Sequence, residues 1–399
     1  MNVSITPSQL KGTLNAIASK SYAHRIIIAA ALGDKPVKIN LNTTSKDIEA
    51  TLSCIKALGS EVDCQKEFIV VSPMKHSRKN ILLDCIESGS TARFMLPVAA
   101  VVCDKFSMTG SGRLPERPFT PLISQMRKNG VQIDSDTLPL SVSGKLHGGN
   151  FEIAGNISSQ YITGLLMALP LCGEESDITL TSKLQSSAYV NITLEVLKQF
   201  GISVKNTSYG YKVKPQKYIS PNEITVEGDW SNAAFWIVAE KICGDIKVNG
   251  LNYKSLQGDM NILTAIEQTE TDAGEIPDLV PILAVMACAK KGATRIYNAE
   301  RLRLKESDRL KTTAKMLSDL GADIKETSDG LIIQGTGKLR GGKCDGFNDH
   351  RIVMSAAIAS CLCENDVIIT GAEAVNKSYP TFFEDFASLG GKVKNIGSI

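Results

Sequence analysis

The sequence predicts an α/β (α+β) fold built from repeated units and divided into two similar lobes. Three observations carry this. The chain has 399 residues, too many for one ordinary hydrophobic core, so two domains are expected. Its apolar residues switch repeatedly between helical and strand spacing. One junction also recurs: an apolar-periodic helix ends in glycine and a β-rich segment follows almost at once.

The junction appears at Leu58-Gly59-Ser60-Glu61-Val62, Asn129-Gly130-Val131-Gln132-Ile133 and Phe200-Gly201-Ile202-Ser203-Val204. It returns at Leu320-Gly321-Ala322-Asp323-Ile324 and Leu389-Gly390-Gly391-Lys392-Val393. Such glycines suit the left-handed position that closes a helix. The steps from Gly59 to Gly130 to Gly201, and from Gly321 to Gly390, are about 70 residues, the size of a supersecondary unit rather than a short solenoid repeat. A weaker copy is expected near 264–272. Three units fill 13–225; residues 1–12 and 226–399 form the second lobe, with crossovers near 12–20 and 225–229. A cleft between the lobes is expected to take the ligand. Phe68-Ile69-Val70-Val71 and Gly330-Leu331-Ile332-Ile333 read as strands, and 92–102 and 159–171 as helices.

Composition narrows the function. An apolar fraction of 43% and a charged fraction of 22% are those of a soluble globular protein. A net charge of only +2 argues against a nucleic-acid binder that relies on a global field, so any cationic site should be a focused pocket. The ten cysteines form no C-x-x-C pair and read as small buried hydrophobes in a reducing compartment. Residues 1–10 lack a secretory leader pattern, and the apolar run 94–103 is too short to span a bilayer. A cytoplasmic monomer without membrane or nucleic-acid partners is expected. The four histidines (His24, His76, His147, His350) are dispersed, so no metal is expected.

Taken in order, the helix starts share a theme. Ser19-Lys20-Ser21 precedes an apolar helix over 26–32, with Arg25 one turn on from Ser21. Glu87-Ser88-Gly89-Ser90-Thr91-Ala92-Arg93 leads into the next; Gly89 would let a ligand approach backbone N–H groups at the positive end of the helix dipole. Arg113 and Arg117 lie in a Gly/Pro-punctuated loop before a helix over 122–127. Ser158-Ser159-Gln160, and later Ser186 and Tyr189, open further helices, where hydroxyls either cap the helix or bind a polyol or phosphate. Pro277-Asp278 puts one acid, an N-cap or a tuned base, before the apolar helix 282–289. Asn298–Leu310 is the densest stretch: Arg301, Arg303, Lys305 and Arg309 alternate with Glu300, Glu306 and Asp308. Its Arg-Leu-Arg-Leu alternation suits a strand end, and helical spacing begins at Glu306, so the cluster should sit at a strand-to-helix junction. Asn348-Asp349-His350-Arg351 and Asn376-Lys377-Ser378 close the series. Each piece alone fits a capped or salt-bridged helix start; together they fit a pocket for several anions. No G-x-S-x-G, G-x-G-x-x-G or Walker motif competes.

These segments, in this order and over nearly the whole chain, resemble the 5-enolpyruvylshikimate-3-phosphate synthase family of enolpyruvyl transferases. The resemblance implies two lobes, each of three β-α-β-α-β-β units, and no redox cofactor or metal. It implies attack of the 5-hydroxyl of shikimate 3-phosphate on C2 of phosphoenolpyruvate, a tetrahedral intermediate, and loss of phosphate. By similarity, Lys20, Gly89, Arg117, Gln160, Arg309, Arg351 and Lys377 would hold phosphoenolpyruvate. Lys20, Ser21, Arg25, Ser158, Ser159, Gln160, Ser186, Asp278 and Lys305 would hold shikimate 3-phosphate. Asp278 would be the base on the 5-hydroxyl, and Glu306 would act at the methylene carbon with Lys20 assisting. The chain departs at Glu87-Ser88-Gly89-Ser90, where many members have Asn-Ala-Gly-Thr, and at Arg301, where many have Asn. A transferase acting on a UDP-amino sugar usually carries a cysteine in the loop matching 110–120, which has none here. A non-catalytic sensor would gain nothing from Asp278 and Glu306.

Overall fold

The computed structural model describes residues 1–75 and 81–397; His76 lies outside them. The chain divides into two compact units, Ala18–Glu227 and Met1–Ile17 with Gly228–Ile399. Each has its own hydrophobic core.

The repeat seen in the glycines is a repeat of sheets. Among the described residues there are five four-stranded sheets and one two-stranded sheet. In Ala18–Glu227, Ile81–Asp84 runs parallel to Lys105–Thr109, which pairs antiparallel with Leu140–Ser143, which pairs antiparallel with Gln132–Ile133. Asn150–Ile153, Ser176–Leu180, Gly210–Val213 and Val204–Thr207 repeat the pattern. The third sheet of this unit is closed by a distant strand: Glu223–Thr225 lies parallel to Val37–Asn40, followed by Phe68–Val71 and Val62–Cys64. The other unit has the same order in Glu270–Asp272, Lys291–Tyr297, Leu331–Thr336 and Asp323–Glu326. Its C-terminal sheet borrows Asn2–Thr6 from the start of the chain, between Val367–Thr370 and Lys392–Gly397. Gly12–Asn15 and Ile246–Asn249 supply a parallel pair alone.

Strand burial alternates, as in Leu331–Thr336, so each such sheet turns one face inward. The inner helices are buried over much of their surface; in Gly89–Val102, Ala92 through Ala100 are all buried. Helices Gly89–Val102 and Ser159–Ala168 approach so closely that a Cβ on Gly164 would stand 2.3 Å from the Arg93 carbonyl oxygen. The five junction glycines all have positive φ, from 76° at Gly201 to 97° at Gly59, which a Cβ would strain.

Two local expectations change. Arg301-Leu302-Arg303-Leu304 is not a strand end: Glu300–Leu304 is a 3-10 turn, and the strand ends earlier, at Tyr297. Leu302 is buried while Leu304 is 47% exposed, so the alternation marks one inward residue of a turn rather than a sheet face. The cysteines are all free thiols, yet Cys64 is exposed and Cys103, Cys172, Cys243 and Cys361 are only partly buried. No helix among the described residues is long and apolar enough to cross a membrane.

Candidate active site

Two clusters of charged and hydroxyl groups stand at helix starts, one in each unit. In the unit of Gly228–Ile399 the centre is Arg309, 2% exposed, the first residue of the helix Arg309–Asp319. Asp308 caps that helix by accepting from the Lys311 N–H. Arg309 donates through Nε to Asp349 Oδ2 at 2.8 Å and through Nη1 to Asp278 Oδ1 at 2.8 Å, and its Nη2 lies 3.5 Å from Glu306 Oε1. Burial pulls this guanidinium down, but Asp349, Glu306 and Asp278 together outweigh burial and hold it above its usual range.

Asp278 lies in the 3-10 turn Pro277–Leu279 that opens the helix Val280–Ala289, and Leu279 holds the N-cap position. The capping alternative therefore fails. The carboxylate faces three cations instead: Arg309 at 2.8 Å, Arg351 Nη2 at 3.3 Å and Lys305 Nζ at 3.5 Å. Arg351 also donates to the Asp278 carbonyl at 3.1 Å and to Ser231 Oγ at 2.7 Å. Ser231 in turn bonds Asp259, whose carboxyl is pushed up to about 6 by burial and by Asp278, against the pull of Arg351. Glu306 Oε2 is 2.8 Å from His350 Nδ1. Asp349 caps the helix His350–Ala359 and also accepts from Ser307 Oγ at 2.9 Å. Burial raises the Asp349 carboxyl, but Arg309 and His350 together outweigh this and leave it below the usual range. Lys377, 5% exposed, donates to the Asn348 carbonyl at 2.6 Å, beside Asp349. Glu306, Asp349 and His350 offer ligand atoms within 4.8 Å of one another, the spacing of a metal site, but Arg309 already answers the charge of both acids.

In the unit Ala18–Glu227, Lys20 opens the helix Lys20–Ala31 and pairs with Asp47 at 2.8 Å. Arg25, 3% exposed, donates to the Ser21 carbonyl at 2.7 Å, to Thr193 Oγ1 at 2.8 Å, to the Tyr189 carbonyl at 3.0 Å and to Thr163 Oγ1 at 3.3 Å. Burial lowers its guanidinium to about 10, with Tyr189 and Tyr22 pulling the other way. Arg93 crosses between helices, donating to Gln160 Oε1 at 3.2 Å and to the Pro118 carbonyl at 3.1 Å. Gln160 also donates to Ser90 Oγ at 3.0 Å. A Cβ on Gly89 would stand 2.5 Å from Arg117 Nη1 and 2.6 Å from Arg93 Nη1, so the Arg117 guanidinium lies against the glycine. Ser158 caps the helix Ser159–Ala168 through a bond from the Gln160 N–H. Ser186, in the left-handed region at φ 55°, precedes Ser187–Gln199, and its side chain makes no capping bond.

Thus Asp278, Lys305, Glu306, Arg309 and Arg351 come together in one unit, with Lys377 joined through the backbone beside Asp349. In the other, Gly89, Arg117 and Gln160 gather around Arg93, while Lys20, Ser21 and Arg25 share a helix start. Sequence reasoning passed over Asp47, Ser231, Asp259 and Asp349 as site members. The signal available for Ser231 was Asp229-Trp230-Ser231, another polar helix start just after the crossover.

A chain of repeated sheets and inner helices, with acids held against arginines at helix N-termini, is built for anionic small molecules and proton transfer. A family profile described as EPSP synthase (3-phosphoshikimate 1-carboxyvinyltransferase) matches residues 5–273 and 264–386. Proteins named 3-phosphoshikimate 1-carboxyvinyltransferase are 42% identical in Clostridium novyi, over 98% of both chains, and 40% identical in Clostridium perfringens, over 98% of this chain and 99% of that one. The chain belongs to the EPSP synthase family. The fold agrees: an EPSP synthase structure from Acinetobacter baumannii superposes with a TM-score of 0.83 at 23% identity, covering 99% of this chain and 100% of that one.

Proposed function

We propose that this protein transfers the enolpyruvyl group of phosphoenolpyruvate to the 5-hydroxyl of shikimate 3-phosphate, a transferase step of the shikimate pathway toward chorismate and the aromatic amino acids. The observation that carries the reading is Arg309 bound to both Asp278 and Glu306. Two acids sharing one buried cation can move two protons in one small volume.

Asp278 takes the proton of the 5-hydroxyl as that oxygen attacks C2 of phosphoenolpyruvate. Glu306 delivers a proton to the methylene carbon, giving a tetrahedral intermediate with a methyl group. The C2–O bond to phosphate then breaks, phosphate leaves, and Glu306 recovers the methyl proton as the double bond re-forms. Lys20 assists, and His350, bonded to Glu306, keeps that carboxyl oriented. Lys20, Gly89, Arg117, Gln160, Arg309, Arg351 and Lys377 hold phosphoenolpyruvate. Lys20, Ser21, Arg25, Ser158, Ser159, Gln160, Ser186, Asp278 and Lys305 hold shikimate 3-phosphate.

The geometry adds a physical point. The Asp278 carboxylate is paired with Lys305, Arg309 and Arg351. Substrate phosphates and carboxylates draw those cations toward themselves, which frees the carboxylate oxygens to meet the 5-hydroxyl. No resident metal or cofactor enters this scheme, and a cytoplasmic monomer is part of the same reading; the free thiols agree with a reducing compartment.

The test is phosphate release by the purified chain from phosphoenolpyruvate with shikimate 3-phosphate or a UDP-amino sugar as acceptor. Release with the first alone is expected. Release only with the second, or with neither, overturns the reading.

A further inference from the structure

Behind Lys20 lies a deeper layer of polar groups that the proposed chemistry does not use. His24, Thr51, Thr91 and Ser88 are each 0 or 1% exposed. His24 Nδ1 is 2.7 Å from Thr51 Oγ1, and Thr51 Oγ1 is 2.7 Å from Thr91 Oγ1. The Thr91 hydroxyl reaches Ser88 Oγ at 2.8 Å and the Asp47 carbonyl oxygen at 3.3 Å. Buried polar groups are costly unless they meet one another, and a row that is bonded end to end is held rigidly.

Spacing along the helices turns this row into a ladder. Lys20 and His24 stand four apart on the helix Lys20–Ala31, and Asp47 and Thr51 stand four apart on Lys46–Ala57. Residues four apart stack on one helix face. The two helices are therefore joined by two rungs, one turn apart. The outer rung is Lys20–Asp47 at 2.8 Å, and the inner rung is His24–Thr51 at 2.7 Å. Thr91 ties the inner rung to a third helix, Gly89–Val102, where Ser88 is the N-cap and accepts from the Thr91 N–H at 3.2 Å. One buried set of bonds thus joins the starts of three helices, and Lys20 and Gly89 are the first residues of two of them.

The bonds also have a direction. The Asp47 carbonyl only accepts, and a threonine hydroxyl has one proton to give. Thr91 spends its proton on Ser88 or Asp47, so it accepts from Thr51, and Thr51 accepts from a His24 Nδ1–H. That leaves Nε2, which has no hydrogen-bond partner among the described residues, as a lone pair rather than an N–H. Burial, then Lys20 and Arg25, keep the ring neutral, with one proton to donate.

We propose that His24 and Thr51 are positioning residues: the inner rung sets where Lys20 and Gly89 stand relative to each other, and through them it places phosphoenolpyruvate. The second half of this statement rests on the proposed function, which gives both residues to that substrate. Lys20 carries its charge on a flexible stem, so its place depends on Asp47, and Asp47 is fixed by the helix that Thr51 anchors. Gly89 has no side chain to adjust; its backbone moves only with the helix that Thr91 anchors.

The test compares Thr51→Val, which keeps the shape and removes the hydroxyl shared by both bonds, with Thr51→Ser, which keeps the hydroxyl. In steady-state phosphate release, Thr51→Val should raise KM for phosphoenolpyruvate about tenfold. KM for shikimate 3-phosphate should rise less, because Gly89 serves phosphoenolpyruvate alone. Thr51→Ser should restore wild-type values. A purely structural role would lower the amount of active protein and leave KM where it was. Amide hydrogen exchange supplies a readout without substrate. Thr51→Val should speed exchange at Thr91 about tenfold and leave Ala99 and Ala100, at the far end of the same helix, unchanged. Unchanged KM for phosphoenolpyruvate in Thr51→Val, or equal effects of the two variants, overturns the positioning role. Unchanged exchange at Thr91 overturns the ladder itself. Absence of turnover in wild type with faster exchange in Thr51→Val overturns the proposed function and upholds the ladder.

Discussion

Arg25 and Arg309 are both buried, each on a helix of its own unit, yet they are held in opposite ways. Arg25 is bonded to hydroxyls and carbonyls; Arg309 is bonded to three carboxylates. Neutral acceptors fix the direction of a guanidinium and leave its charge for something else. Carboxylates cancel the charge and leave acids ready to exchange protons once it is drawn elsewhere. On the proposed reading the first unit holds anions, and the second holds anions and moves protons. The same fold unit and the same residue type serve both ends; the partners decide which.

The largest expected effect separates these two arginines. Arg309→Leu strands Asp278, Glu306 and Asp349 without their shared cation and should cost roughly 3–5 kcal/mol of stability. Much of the loss should return at lower pH, where the acids protonate. Arg25→Leu leaves only neutral acceptors unpaired and should cost about 1–3 kcal/mol, with no rescue by acid. Urea unfolding of both variants at two pH values checks this; equal losses with equal pH dependence would break the comparison.

A smaller effect is expected at Gly89. The Cβ of Gly89→Ala would push the Arg117 and Arg93 guanidinium groups aside, and these are flexible ends rather than backbone. The fold should survive, while KM for phosphoenolpyruvate rises roughly tenfold, about 1.4 kcal/mol. Steady-state kinetics with each substrate varied in turn would show whether the change falls on phosphoenolpyruvate alone.

A pH-dependent effect is expected at His24, 1% exposed and bonded through Nδ1 to Thr51 Oγ1 at 2.7 Å. Burial, then Lys20 and Arg25, hold its pKa well below the usual value. The unfolded chain therefore takes up a proton near pH 6.5 that the folded chain does not. Stability is complete above about pH 6.5 and falls as pH drops, by up to about 1.4 kcal/mol per pH unit. Asp259 in the other unit is raised and acts with the opposite sign, but it is common to wild type and His24→Gln. The difference between their pH–stability curves isolates His24; parallel curves from pH 5 to 7.5 would contradict the assignment.

What was legible in the sequence follows from range. The junction glycines report a local need for positive φ, so Gly59, Gly130, Gly201, Gly321 and Gly390 announced the repeat directly. Helix starts rich in Ser, Lys and Arg were equally local, and the grouping of Lys305, Glu306 and Arg309 was visible for that reason. Partners far apart in the chain were not: Ser231 meets Arg351 across 120 positions, and Lys20 meets Asp47 across 27. Asp278 could be read as a cap or as a base, because the cations that claim it come from elements 27 to 73 residues away. Arg-Leu-Arg-Leu misled because a two-residue alternation also fits a 3-10 turn with one buried leucine.

The proton-moving role of the Arg309 cluster is tested most directly by turnover and substrate dissociation constants of Asp278→Asn and Glu306→Gln, measured side by side with wild type. Both changes keep shape and remove an ionisable group. Turnover should fall by ~10²–10⁴-fold while binding of shikimate 3-phosphate and phosphoenolpyruvate changes far less. Turnover within a few-fold of wild type in both variants would contradict the account.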